Sequence, residues 1–297
     1  MSGLASLGRF VRSAVIEIFS CSWVASSALR SGWWCLPSSW STENSSASGD
    51  ALGGVVAAAL FMENTDSTIL SSALPTIATD LNVNPLALKL ALTSYLISLA
   101  IFIPPSGWIA DRFGARRVFA SAVLVFMAGS VACTTVSTLE GFVVARFLQG
   151  MGGAMMVPVG RLILLRAIPQ SDMVSAMVWF TVPPVIGRMS GPLFGGVIVT
   201  LTSWHWIFLV NIPFGLLAIG LALAYIPGDG PAPQAPAAFD TRGFLLLGFG
   251  LALVMAALET AGKGMAPVWL SVLAAAGGLL ALAAYVRHSR GREDPII

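Results

Sequence analysis

The chain has 297 residues, 56% of them hydrophobic and only 10% charged, with a mean hydropathy of +0.84. These values lie beyond those of ordinary water-soluble domains and argue against a soluble enzyme or binding module. A formal net charge of +2, with basic residues dispersed at segment ends, excludes a nucleic-acid surface.

Residues 1–50 are rich in Ser and Trp, with Arg9, Arg12 and Arg30 scattered through apolar patches that Glu17 interrupts. This is neither a clean signal peptide nor a further span. Two readings stay open: a cytoplasmic or interfacial tail, or an extension upstream of the true start.

Eight apolar stretches follow, at 51–77, 88–109, 118–136, 142–164, 173–199, 206–226, 244–260 and 268–286. Each is close to the ~20 residues that cross about 30 Å of hydrocarbon as a helix. The expected fold class is therefore an all-α polytopic membrane protein. Arginines recur at alternate ends: Arg112, Arg116 and Arg117 after the second span, Arg161 and Arg166 at the end of the fourth, Arg242 before the seventh, Arg287, Arg290 and Arg292 after the eighth. The positive-inside rule puts those ends, and both termini, in the cytoplasm. The intervening loops carry Lys89 and Lys263 and little else that is basic.

Residues 227–241, with Pro231, Pro233 and Pro236 among alanines, read as an extended cytoplasmic linker. They divide a six-span bundle (51–226) from two further spans with a basic end (242–297).

Glu63 and Asp66 lie three residues apart in the first span, on one helix face. A bare carboxylate at mid-bilayer costs several kcal/mol, roughly 3 on insertion scales. Binding a proton removes that cost, and a nearby cation offsets it, so proton and cationic substrate can compete for one site. Interhelical hydrogen bonding by a protonated acid is the plainer alternative for both. Glu259, near the outer end of the seventh span, is a weaker candidate. Arg146 and Arg188, in the fourth and fifth spans, cannot face lipid without a partner and are expected in a polar cavity. Gln149, Asn64, Ser71 and Ser72 are candidates to line it. Gly187, Gly191 and Gly195 recur every fourth residue and form one flat ridge for close helix packing, while Pro192, Pro183 and Pro184 in the same span favour a bend.

Catalysis is not expected. Cys21, Cys35 and Cys133 are odd in number and lack C-x-x-C spacing, and with only His205 and His288 a histidine metal cluster cannot form. No nucleophile–base pair falls in the spans.

Five stretches carry a family resemblance. The loop Gly107-Trp-Ile-Ala-Asp111-Arg112-Phe-Gly114-Ala-Arg116-Arg117 resembles the signature loop of the major facilitator superfamily, whose Asp and Arg residues latch the two transporter halves. Asp66-Ser-Thr68-Ile-Leu-Ser-Ser-Ala73-Leu74-Pro75 looks like the first-helix motif of drug/proton antiporters. Arg146-Phe-Leu-Gln149-Gly150 is similar to the R-x-x-Q-G stretch whose Arg is implicated in proton transfer. Gly187, Gly191-Pro192 and Gly195-Gly196 resemble the antiporter motif of exporters, although Arg188 stands where an uncharged residue is expected. It could pair with Asp66 or stabilise an anionic substrate. Trp204-His-Trp206-Ile-Phe208-Leu-Val-Asn211 looks like the start of the sixth helix in the fourteen-span branch.

The resemblance spans about residues 51–297. It implies a major-facilitator-type helical bundle in the inner membrane, exporting hydrophobic, cationic drugs in exchange for protons, without a cofactor. Asp66 would be the proton and substrate carboxylate and Arg146 its modulator. Its expected partners are the lipid bilayer, a small hydrophobic substrate, protons and a missing C-terminal half, since the acidic Glu293-Asp294-Pro295 end resembles the lead into a further helix. The alternatives are a partner-dependent or inactive membrane fragment, and a dedicated metabolite exporter.

Overall fold

A computed structural model describes residues 45–170, 172–228, 239–263 and 267–290. The expectations for the tail up to residue 44, for Pro231, Pro233 and Pro236, and for Glu293-Asp294-Pro295 lie outside these residues. Among the described residues every regular element is a helix. In lipid a backbone must satisfy its own polar groups, and a single apolar segment can do that only as a helix.

The ten described helices are α1 (Ser45–Asp80), α2 (Pro85–Phe102), α3 (Ser106–Phe113), α4 (Ala115–Thr135), α5 (Leu139–Ala167), α6 (Met173–Leu201), α7 (His205–Leu209), α8 (Asn211–Tyr225), α9 (Thr241–Lys263) and α10 (Val268–Ser289). Local chemistry sets several boundaries. Asn84 caps α2 by accepting from the Leu86 N–H at 2.8 Å, with Pro85 at the first helical position. Thr138 caps α5 through the Gly141 N–H, and Asp240 accepts from the Gly243 N–H at 3.0 Å where α9 begins.

The second expected span, 88–109, is corrected. Helix α2 ends at Phe102, Pro104 and Pro105 remove two backbone donors, and α3 starts afresh at Ser106. The expected sixth span likewise divides into α7 and α8, and residues 45–50, assigned from sequence to the tail, belong to α1. By contrast α6 continues through Pro183, Pro184 and Pro192 as one helix.

Among the described residues seven stretches are long and apolar enough to cross a membrane, α7 and α8 counting together as one. At 36 residues α1 is the longest helix, but it is not among the seven, because its centre is the polar run Glu63-Asn64-Thr65-Asp66-Ser67-Thr68. What it lacks in hydropathy it regains in burial. Helix α6 runs along it, α8 and α5 pack against it, and α4 lies along α5. Helices α9 and α10 form a hairpin that meets α2 through α9. Gly250 and Gly278 face each other's backbone in that hairpin, and the Thr260 and Ser271 hydroxyls meet at 3.0 Å.

The interior holds two separate apolar clusters. One gathers Leu52, Val56, Phe119, Phe126, Met156, Ile163 and Ala222, and the other Ile69, Ile77, Leu88, Phe142, Trp204 and Phe208. Along α1, α4, α5 and α8 alike, the residues between the two clusters are polar: Asp66, Ser130, Arg146 with Gln149, and Asn211. That shared level positions the site.

Candidate functional site

The polar layer is a closed hydrogen-bond network contributed by four helices. Arg146 Nη1 of α5 donates to Asp66 Oδ2 of α1 at 2.7 Å and to Gln149 Oε1. Gln149 Nε2 donates to Asp66 Oδ1 at 3.0 Å and to Ser130 Oγ of α4 at 2.8 Å. Asn211 Nδ2, at the start of α8, donates to Asp66 Oδ1 at 2.7 Å and to Ser130 Oγ at 3.1 Å. Asp66, Arg146, Gln149, Ser130 and Asn211 are all buried. The guanidinium also lies 4.4 Å from the Tyr95 ring centroid and 6.0 Å from that of Phe208, a cation on aromatic faces.

Local sequence explains how these groups meet. A Cβ at Gly152 would strike the α4 backbone at Ala122 and Phe126, and one at Gly150 would lie 2.8 Å from the Tyr95 carbonyl oxygen of α2. Gly150 and Gly152 thus let α2 and α4 approach α5 closely, and Gln149 of α5 reaches both Asp66 of α1 and Ser130 of α4. A carboxylate with charge-assisted donors on both oxygens is a strongly held anion, and Arg146 supplies the opposite charge. The layer thus ties one carboxylate of α1 to groups of α4, α5 and α8.

Glu63 is also buried but occupies a different contact set. Its Oε1 accepts from the Tyr95 hydroxyl at 3.4 Å and its Oε2 from Asn64 Nδ2 at 3.1 Å. Asn64 Nδ2 donates in addition to the Leu60 carbonyl at 2.9 Å, while its Oδ1 accepts from Arg188 Nη2 at 2.9 Å. Arg188 therefore does not reach Asp66; it lies exposed on α6 and is joined to Glu63 through the Asn64 amide. Asn64, Ser71 and Ser72 stand apart from the Asp66 network as well: Ser71 donates to the Thr68 carbonyl, and Ser72 lies by Gly195.

The glycine ridge packs on α1. A Cβ at Gly187 would fall 2.6 Å from Thr65 Oγ1, one at Gly191 would overlap the Thr68 hydroxyl, and one at Gly195 would fall 2.9 Å from the Ile69 carbonyl oxygen. Gly196 faces open space and is not part of it.

At the arginine-bearing end, Asp111 pairs at 2.6 Å with Arg166 of α5 rather than with its neighbours in the loop. Arg112 lies over the Trp108 ring, Arg116 donates to the Leu223 carbonyl of α8, and Arg117 is exposed. Gly114 takes a φ of 91°, the positive value that turns α3 into α4 and that a side chain would oppose. Gly107 has open space around it, so no close helix approach occurs there.

Sequence reasoning found Asp66, Arg146 and Gln149 but not Ser130, Tyr95 or the part played by Asn211. Single hydroxyls and amides in apolar runs are ordinary helix glue, and only their common depth, seen in three dimensions, singles these out. Among the described residues, no group of three or more His, Cys, Asp or Glu comes together as a metal site.

Residues 56–289 match the sequence profile described as Major Facilitator Superfamily. A Klebsiella pneumoniae relative with the provisional name multidrug resistance protein MdtD is 44% identical over 238 residues, covering 80% of this chain and 50% of that protein. Its namesakes in Citrobacter koseri and Escherichia coli O139:H28 are 41% and 40% identical over 237 and 240 residues, with the same two coverages. The chain thus spans about half the length of these curated relatives. Among solved structures, it is similar to the human organic anion transporter MFSD10 (TM-score 0.53, 19% identity, 72% of this chain and 56% of that one). It is also similar to the POT family transporter PepTSo (TM-score 0.55, 17% identity, 80% and 54%). At such identities these two share its fold.

Proposed function

This chain belongs to the Major Facilitator Superfamily, and on that premise we propose that it is the N-terminal part of an inner-membrane exporter that moves hydrophobic, cationic drugs outward in exchange for protons. Both termini and the arginine-bearing loops face the cytoplasm in this reading, as the charge distribution favours. The relatives' name supports the drug class.

The observation that carries the proposal is the shielded Asp66–Arg146 pair at 2.7 Å, joining helices α1 and α5 inside a layer shared by α4 and α8. Neutralising one member of a fully buried pair leaves the other without a countercharge, a state costing about 3–5 kcal/mol. Proton binding at Asp66 therefore forces the layer to rearrange, and such rearrangement, transmitted through the Gly187–Gly191–Gly195 contact to α6, is what couples a proton to a change of access. Among the described residues Glu63 forms no ion pair, so it is the carboxylate that meets the drug's cationic centre. The Asp111–Arg166 pair, together with Arg112, Arg116 and Arg117, latches the cytoplasmic side.

The test is accumulation of a fluorescent cationic dye inside everted vesicles, where cellular export becomes uptake, under an imposed pH gradient (acid inside). Asp66→Asn should abolish the dependence on the gradient. Gradient-driven export at the wild-type rate would remove Asp66 from the mechanism.

A further inference from the structure

Arg188 poses a problem that the coupling layer does not solve. It sits at the middle of α6, 15 residues after Met173 and 13 before Leu201. At 1.5 Å per residue, each end of the helix is roughly 20 Å away, beyond the reach of a snorkelling side chain. Yet Arg188 is exposed, and among the described residues its one hydrogen-bond partner is a neutral amide oxygen, Asn64 Oδ1 at 2.9 Å. A guanidinium has five N–H donors, so most of its capacity points away from the protein. An arginine held at mid-bilayer depth against hydrocarbon is strongly unfavourable, so this face of α6 turns toward polar surroundings, a passage or a further part of a longer protein, rather than lipid tails.

The surroundings define what such a site would take. Asn64 is fixed: its amide nitrogen donates to the Leu60 carbonyl and to Glu63, so its oxygen has one orientation, and that oxygen aims the Arg188 fork. Glu63 thus stands one amide away from Arg188, opposite charges separated by a rigid spacer. Around Arg188 on the same helix, Val185, Ile186 and Met189 are exposed and apolar. A planar fork with free donors matches a carboxylate or sulfonate. Lipid phosphates stay at the bilayer surface, about 15 Å from the mid-plane, and cannot supply that group.

We propose that Arg188 is an oxyanion-binding residue of the transport passage, so that the preferred substrate is a zwitterionic amphipath carrying a carboxylate or sulfonate beside its cationic centre. The proposal deepens the export reading and rests on it for the direction of movement, but not for binding.

The experiment compares a rhodamine bearing a free benzoate with its methyl ester, dyes that share one cationic ring system and differ in the oxyanion. Binding of each to the chain is measured by fluorescence anisotropy in vesicles of neutral phosphatidylcholine, and again with anionic phosphatidylglycerol added. The wild type should bind the acid about tenfold more tightly than the ester. Arg188→Gln should lower the acid to the level of the ester and leave the ester unchanged, and Arg188→Lys should retain part of the preference. Equal binding of the two dyes by the wild type, binding of neither, or a preference that survives Arg188→Gln would each overturn the proposal. Loss of the preference on adding phosphatidylglycerol would assign the oxyanion to lipid and overturn it too. An Arg188-dependent preference without gradient-driven export would sink the export reading alone, and gradient-driven export without the preference would sink this one alone.

Discussion

Asp66–Arg146 and Asp111–Arg166 join the same two side-chain types at nearly the same separation, 2.7 and 2.6 Å, but the first pair is fully shielded while the members of the second are 50% and 55% exposed. The difference teaches that distance says little about what an ion pair does. In water-facing surroundings each member is already well solvated and their attraction is screened, so the pair contributes almost nothing by forming. Inside the bundle neither member has an alternative, and the pair becomes a constraint on four helices at once. A third pair, His288 with Asp240 at 3.0 Å, falls between them, with side-chain exposures of 26% and 2%.

The comparison breaks most easily at Arg146. Arg146→Ala should lower stability by about 3–5 kcal/mol, because Asp66 loses its buried countercharge and keeps only the neutral donors Gln149 and Asn211. Urea or thermal unfolding in detergent measures it, and the double variant Asp66→Leu with Arg146→Met should recover most of the loss. A single-variant loss no larger than that at Asp111 would end the distinction. Asp240→Ala should cost about 1 kcal/mol, as loss of a cap and of a half-shielded partner at once. Its mark is early loss of protection at the start of α9 in hydrogen exchange. The smallest effect is expected for Asp111→Asn, under about 1 kcal/mol at low salt and less as salt is raised. If that variant abolishes transport while stability is unchanged, the latch role assigned to the loop gains its support from function alone.

Much of this was open to reading in the sequence, for reasons that particular residues illustrate. A membrane span is a composition signal, so the long helices stood out by their apolar runs, and Asp66 and Arg146 stood out because charge is rare within them. The break at Pro104-Pro105 was harder to see, since Pro183, Pro184 and Pro192 leave α6 unbroken while the earlier pair ends a helix. What prolines do depends on neighbours that can restore the lost bonds. Partnership was the least legible. Arg188 could as readily have faced Asp66 as Asn64, for the choice is fixed by the rotation of α6 about its axis. Gly191 and Gly196, both in the same motif, differ in the same way: one touches α1 and the other touches nothing.

One consequence of α1 reaches beyond the folded state, to how the chain enters the membrane. The least apolar of the long described helices also precedes the others in the chain, and the countercharge for Asp66 follows only 80 residues later. During that interval the nascent α1 still lacks the described partners of its Asp66 carboxylate, Arg146, Gln149 and Asn211, which have yet to follow. Its stable integration should therefore wait for α5, a dependence that glycosylation mapping of chains truncated before and after Arg146 would register. The helix at the centre of the finished bundle is thus the one that settles late in its biogenesis.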